Sequence, residues 1–242
     1  MIVKDMCMIC LPKKKDGNKL ENYLIKREMI LLISVLFFSI PISNLSAKDW
    51  KIPENHRLER IICKQVGKKQ LTDLDLQEVT EIYINAKYGS CNKLDGIEKL
   101  PNLTAIILDP GTITDLNAII KLKNLTYISI HRNPIKSYKP LEECTNLEGI
   151  DLSYLKKVDL SYLQNLSSLK KIYLIDCGLD SIDELKNLNP IEVYLWENNI
   201  SSLPDLSSWT NIKKLNVAGN PVAKETRIVD ENGYVRMNYF NK

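Results

Sequence analysis

Apolar residues return along the middle of the chain with a period of 22. The copy at Leu125–Asn146 repeats before and after itself: Leu103–Asn124 and Leu147–Ser168 have the same length. Leu169–Asn189 is one residue short, Pro190–Asn211 is full, and Ile212–Val222 is half a copy. An irregular first copy, Val79–Asn102, carries two extra residues. Counting from the first residue of each copy as offset 0, the apolar positions fall at 0, 3, 5, 10, 13, 16 and 19. In the second copy these are Leu103, Ile106, Leu108, Ile113, Leu116, Ile119 and Leu122. Offsets 3 and 5 alternate, the spacing of one buried strand face. Offsets 10 to 19 step by three, which suits a return segment of tight turns or 3₁₀ helix. One copy alone leaves an apolar edge open, and stacked copies bury it in a continuous core. The period therefore predicts a solenoid with a parallel sheet on one side and turns on the other.

The pattern L-x-x-L-x-L-x-x-N-x-I, carried over about 145 of the 242 residues, resembles the leucine-rich repeat. The 22-residue form is most similar to bacterial internalins. A related form occurs in intracellular phosphatase-regulating repeat proteins, whereas the longer, helix-bearing repeats of the ribonuclease inhibitor class fit poorly. The resemblance implies a curved right-handed coil of α/β class, with a concave sheet, a convex face of turns and short 3₁₀ helix, and protein binding through the sheet.

Departures from the pattern carry information. Offset 8 favours Asn, whose amide can satisfy backbone groups opened by the turn. Here it holds Gly111, Asn133, Leu155, Cys177, Asn198 and Asn220, so the asparagine ladder is broken in the middle. Restoring it with Leu155→Asn is expected to cost little or to stabilise. The third full copy places Lys157 at offset 10, with Val158 as its apolar substitute, and a locally distorted turn is expected there.

Four segments follow: 1–47, an extension and secretory signal; 48–78, an amino-terminal cap; 79–223, the repeats; and 224–242, a carboxy-terminal cap or tail. Lys26 and Arg27 precede an apolar run of about 13 residues and a polar stretch ending in Ala47, the layout of a signal peptide. That run is shorter than the roughly 20 residues of a membrane span. The expected mature chain is Lys48–Lys242, exported, not covalently anchored and without a stable span. Cys7 and Cys10 have redox or half-zinc spacing, but nothing completes four ligands, and Met29 is a plausible start. The run QLTDLDLQEVTEIYI resembles the internalin amino-terminal cap. Cys63 lies in this cap and Cys91 in the insertion of the first copy, and a disulfide between them is expected in an oxidising compartment. Cys144 and Cys177 read as buried small residues. At the other end, the turn signal Glu231-Asn232-Gly233 sits between Ile228-Val229 and Tyr234-Val235, which predicts a small hairpin.

Charge and motifs narrow the function. The whole chain carries +3, but residues 1–47 hold seven Lys/Arg and four Asp/Glu. The remainder has 33 − 7 = 26 basic and 30 − 4 = 26 acidic residues, with no basic run in the repeats, so nucleic acid is not an expected partner. His occurs only at positions 56 and 131, and no P-loop, G-x-S-x-G, H-E-x-x-H or EF-hand loop is present. No catalytic activity, cofactor or metal is expected. Bacterial repeat proteins that act as ubiquitin ligases carry a separate catalytic domain, and only about 20 residues follow the repeats here. The sequons at Asn102 and Asn124 fall at the repeat junction and are given no weight.

Offsets 2, 4 and 6 point away from the buried offsets 3 and 5 and line the open sheet face. They place Tyr173, Ile175, Tyr194 and Trp196 in one aromatic and apolar strip, with Tyr173 stacked on Tyr194. Gly149, Asp151 and Ser153 form a small acidic saddle, and Tyr127 and His131 form a mixed patch beyond it. The expectation is an exported, monomeric module binding a protein through Tyr127, His131, Tyr173, Ile175, Tyr194 and Trp196. The alternative is an intracellular scaffold or regulatory subunit like the phosphatase-regulating repeats.

Overall fold

A computed structural model gives the fold; it describes residues 56–224 and 229–236. The chain divides between Ser46 and Ala47, and every described residue belongs to the second unit. The expected signal segment, the Cys7–Cys10 pair and the tail beyond Arg236 lie outside the described residues.

Seven strands form one parallel sheet in chain order: β1 (Glu81–Asn85), β2 (Ala105–Asp109), β3 (Tyr127–Ile130), β4 (Gly149–Asp151), β5 (Lys171–Tyr173), β6 (Glu192–Tyr194) and β7 (Lys214–Asn216). Register follows the repeat position and not a constant count. Tyr127 pairs with Gly149, Gly149 with Lys171 and Lys171 with Glu192, so the short copy loses its residue on the return side. Glu81 pairs with Ala105, so the insertion of the first copy also lies outside the sheet. The result is a curved leucine-rich repeat solenoid.

The inward residues behave as their period requires. Ile106, Leu108, Ile150, Leu152, Val193 and Leu195 are fully buried. On the return side, 3₁₀ helices run at Asn117–Lys121, Lys139–Glu143, Leu160–Leu163 and Asp183–Leu185. The three-residue spacing has a direct cause. Ile119 N–H donates to Leu116 C=O (2.9 Å), Leu122 N–H to Ile119 C=O (2.9 Å), and Leu125 N–H to Leu122 C=O (3.2 Å). Each i→i+3 bond brings the next leucine or isoleucine back over the previous one, which turns a bonding rule into an apolar column.

Both ends of the sheet are closed. At the amino end, α1 (His56–Val66) buries Leu58, Ile61 and Ile62 against the first copy. Its Gln65 Nε2 donates to Tyr83 C=O and its Oε1 accepts from Tyr83 N–H, both at 3.0 Å, so one side chain stands in for a neighbouring strand. After it, α2 (Asp73–Glu78) starts with a capping box between Thr72 and Asp75. At the other end, Val229 and Val235 pair antiparallel around the Glu231-Asn232-Gly233 turn. Val217 N–H donates to Gly233 C=O and Val235 N–H to Leu215 C=O, each at 2.8 Å, which adds this hairpin to β7.

The turn leaving each strand has a recurrent strain. At offset 7, Arg132, Tyr154, Asp176 and Glu197 have φ of 48°, 63°, 51° and 55°, and Gly219 has 74°. This is the left-handed region, which costs a side-chain-bearing residue about 1–2 kcal/mol. Pro110 holds the same slot in the second copy, and its ring forbids that φ. Lys157 adds a positive φ of 61° at offset 10 and Val158 is buried beside it, the distorted turn expected there.

Candidate functional site on the concave face

Register stacks the outward residues into rows across the sheet. One row runs Ile107, Ser129, Asp151, Tyr173, Tyr194 and Asn216 from β2 to β7. The Asn216–Tyr234 bridge then extends it into the terminal hairpin. Tyr173 and Tyr194 stack with ring centroids 4.9 Å apart and planes within 1°. Trp196 meets Tyr194 edge-on at 6.3 Å. This is the aromatic strip expected from the repeat, because parallel neighbours at identical offsets have nowhere else to put their rings.

Its exposure is not uniform. Tyr173 is 8% exposed, Ile175 6% and Tyr127 4%, whereas Tyr194, Trp196 and His131 are half-buried. The expectation that all six stand open on the surface is therefore corrected. For Tyr127 the cause is local: its ring lies across Gly149, where an added Cβ would approach ring carbon Cδ2 to 2.7 Å. The missing side chain on β4 lets the tyrosine lie down on the sheet. Trp196 Nε1 is buried without a hydrogen-bond partner. Tyr194 donates to Glu192 Oε2 at 3.1 Å, and burial, then the Glu192 charge, pushes its hydroxyl well above the usual tyrosine value.

The mixed patch and the saddle are one cluster. His131 Nε2 lies 2.9 Å from Asp151 Oδ1 on β4, and its Nδ1 lies 3.8 Å from Asp109 Oδ2 on β2. Asp151 Oδ1 also accepts from Ser153 N–H at 3.0 Å. Burial works to lower the imidazole's proton affinity, but the hydrogen bond to Asp151 and the charges of Asp151 and Asp109 outweigh it and raise the pKa. Tyr154 meets the imidazole edge-on at 6.0 Å, and Arg132 stands over the Tyr154 ring at 5.2 Å. Asp109, Asp151 and Tyr154 are the residues that sequence reasoning undervalued. Their neighbourhood was readable, since Asp109 and His131 share offset 6 on adjacent strands.

Ser129 Oγ lies 3.5 Å from His131 Nε2, so serine, histidine and aspartate stand in the order of a hydrolytic triad. The geometry does not serve that chemistry. Asp151 occupies the same nitrogen at the shorter distance, and an imidazole between two carboxylates holds its proton instead of taking one from a hydroxyl. Among the described residues, no group of three or more His, Cys, Asp or Glu is placed to hold a metal ion.

Cys63 and Cys91 are both free thiols. Cys63 Sγ turns to Lys69 C=O at 3.7 Å, towards the carboxy end of α1. Cys91 is fully buried. Burial pushes the thiols of Cys91 and Cys144 up to about 11 and that of Cys177 to about 12, which leaves them unreactive.

The junction asparagines also find a role. Asn102, Asn124 and Asn146 donate side-chain N–H to Gln77, Pro101 and Lys123 C=O at 2.8, 2.9 and 2.8 Å. The sequons are thus part of a second ladder that ties each copy to the one before. Among the described residues, no helix is long and apolar enough to cross a membrane.

No family model and no curated protein matches the chain. Solved structures do. Internalin C2 of Listeria monocytogenes aligns with a TM-score of 0.57 and 22% identity, over 69% of this chain and 84% of its own. An internalin F of the same organism aligns with 0.54 and 21%, over 72% and 61%. A leucine-rich repeat protein of Leptospira interrogans aligns with 0.50 and 21%, over 64% and 42%. At this identity the likeness concerns the fold, and it agrees with the register, the asparagine ladder and the capped sheet: the chain is a leucine-rich repeat protein with the bacterial internalin-like fold.

Proposed function

We propose that the chain is an exported, non-catalytic, monomeric module that docks a protein through the carboxy-terminal half of its concave face. The observation that carries this reading is the ordered aromatic platform. Tyr194 and Trp196 present half-buried rings, and the flat stack with Tyr173 holds Tyr194 in place before any partner arrives. Rigid aromatic side chains lose little entropy on binding and dominate interface energies. Tyr173, Ile175 and Tyr127 then act from beneath as supports, and contact falls to Tyr194, Trp196 and His131. The closed edges favour the face over the rim, because a partner strand has no open ladder at Tyr83 or Val217 to extend. Export rests on the layout from Lys26 to Ala47.

Tyr194→Ala and Trp196→Ala, made separately in the full chain, should leave the fold intact and each reduce partner capture from envelope or host extracts at least tenfold. Unchanged capture by both variants, with loss on altering a convex residue such as Lys186, would place the interface elsewhere. Intact-mass analysis of exported protein should give a chain starting near Lys48; recovery only of the full-length cytoplasmic chain would remove export from the reading.

A further inference from the structure

The middle of the face holds a titratable contact residue whose chemistry the aromatic platform does not explain. His131 is the one imidazole among the fully described side chains, and it faces a carboxylate on each side. Asp151 projects from β4 and Asp109 from β2, so the three side chains span three strands. Asp151 is 4% exposed, and one of its oxygens already serves both His131 and the Ser153 amide. The other groups facing the imidazole are few. Ser129 on its own strand is 3.5 Å away, Tyr154 after β4 meets it edge-on, and Arg132 beside it is drawn over the Tyr154 ring.

We propose that Asp109, His131 and Asp151 form a proton-controlled clasp across β2, β3 and β4, which changes the charge of the docking face between mildly acidic and mildly alkaline solution. With the imidazolium in place, its charge and that of Arg132 balance the two carboxylates at the centre of the face. Loss of one proton from His131 Nε2 or Nδ1 to solvent leaves the cluster with one negative charge, since Arg132, drawn over the Tyr154 ring, offsets only one of the two carboxylates. Asp151 is then held in a low-dielectric surrounding with only the Ser153 amide and a neutral imidazole, where an incoming cation is worth most. The occupant this favours is a lysine or arginine side chain of the protein partner, admitted above the imidazole's midpoint and excluded below it. This step rests on the concave docking reading.

The chain has two histidines, so imidazole resonances of the full-length protein can be assigned with one His131→Gln variant. His131 should titrate above its ordinary value of 6.5. Asp151→Asn should lower its proton affinity about tenfold or more, and Asp109→Asn should lower it less, as the longer distance requires. Asn at 151 can still accept from the Ser153 amide, so the fold is kept. Protection factors of the Ser129, His131 and Ser153 amides, with the intrinsic base-catalysed exchange rate divided out, should fall as pH rises through the wild-type midpoint and stay constant in Asp151→Asn. A lysine octapeptide serves as the charge probe: its affinity should rise several-fold between about pH 5.5 and about pH 8.5 for wild type and stay level for His131→Gln. A wild-type midpoint at or below 6.5, or equal midpoints in wild type and Asp151→Asn, overturns the clasp. A level octapeptide response in wild type overturns its control of the face. Neither result touches the Tyr194 and Trp196 capture experiment, whose failure would in turn leave the titration standing.

Discussion

Trp209 and Trp196 share a side chain and differ in one bond. Trp209 fills offset 19 of its copy, fully buried, and its Nε1 donates to Leu185 C=O at 3.2 Å. Trp196 buries the same N–H with no acceptor. An unsatisfied buried donor costs about 1–3 kcal/mol, and a solenoid able to place Trp209 so well has no architectural need for that cost. Trp196→Phe should therefore match or exceed wild-type stability by about 1 kcal/mol in a urea melt, while Trp209→Phe should lose stability. A destabilised Trp196→Phe protein would show that the indole N–H is bonded in solution. At His131 the linkage has a definite sign. Its folded pKa is raised, so the stability it contributes is complete below about 6.5 and disappears as pH rises through the raised value. The urea midpoint should fall across that window, and His131→Gln should remove the slope.

At the scale of the element, the ladder slot shows what a repeat makes legible and what it hides. Asn198 is the full version: Oδ1 accepts from Cys177 and Leu179 N–H at 3.0 Å each, and Nδ2 donates to Leu174 and Leu195 C=O at 2.7 and 2.8 Å. The period identified this slot, and chemistry identified asparagine as its best tenant. Two departures that read as decay are substitutions of a different kind. Cys177 imitates the amide, its thiol donating to Leu152 C=O at 3.3 Å and Ile175 C=O at 3.5 Å. Gly111 is obligatory, because a Cβ there would collide with Asn133 Oδ1. Leu155 corrects the expectation that asparagine would restore the ladder. The amide it should receive, Ile135 N–H, is already bonded to Asn133 C=O at 2.9 Å. Leu155 itself is buried in the apolar core. Leu155→Asn should cost about 1–3 kcal/mol for a poorly satisfied buried amide, and Asn198→Leu about 2–4 kcal/mol for several orphaned backbone groups. Denaturant melts giving the reverse order would mean that the middle copies repack around position 155. Burial of Tyr127 escaped sequence reasoning for a related reason: the period says which way a side chain points, and only the neighbour, here Gly149, says whether it stands or lies flat. Gln65 was hidden more deeply, since nothing local marks a helix residue that reaches 18 positions along the chain to Tyr83.

For the molecule as a whole, the closed ends have a consequence in assembly. Every internal strand pairs with neighbours by the same parallel rule, so the amino edge of β1 and the outer edge of β7 are complementary surfaces of one kind. Two such surfaces on opposite ends make a head-to-tail contact that never closes on itself, the geometry of a filament and not of a dimer. Gln65 and the α1 helix that carries it cover one of these edges, and the Val229–Val235 hairpin covers the other. A chain ended at Lys224 and carrying Gln65→Ala should sediment as a ladder of growing rods whose length rises with concentration, while either change alone should give at most short oligomers. A double variant that stays the size of the wild type would show that the ends lack complementary pitch. Read this way, a glutamine and a short hairpin are the terminators of a polymer whose monomers, the repeats, happen to be joined in one polypeptide.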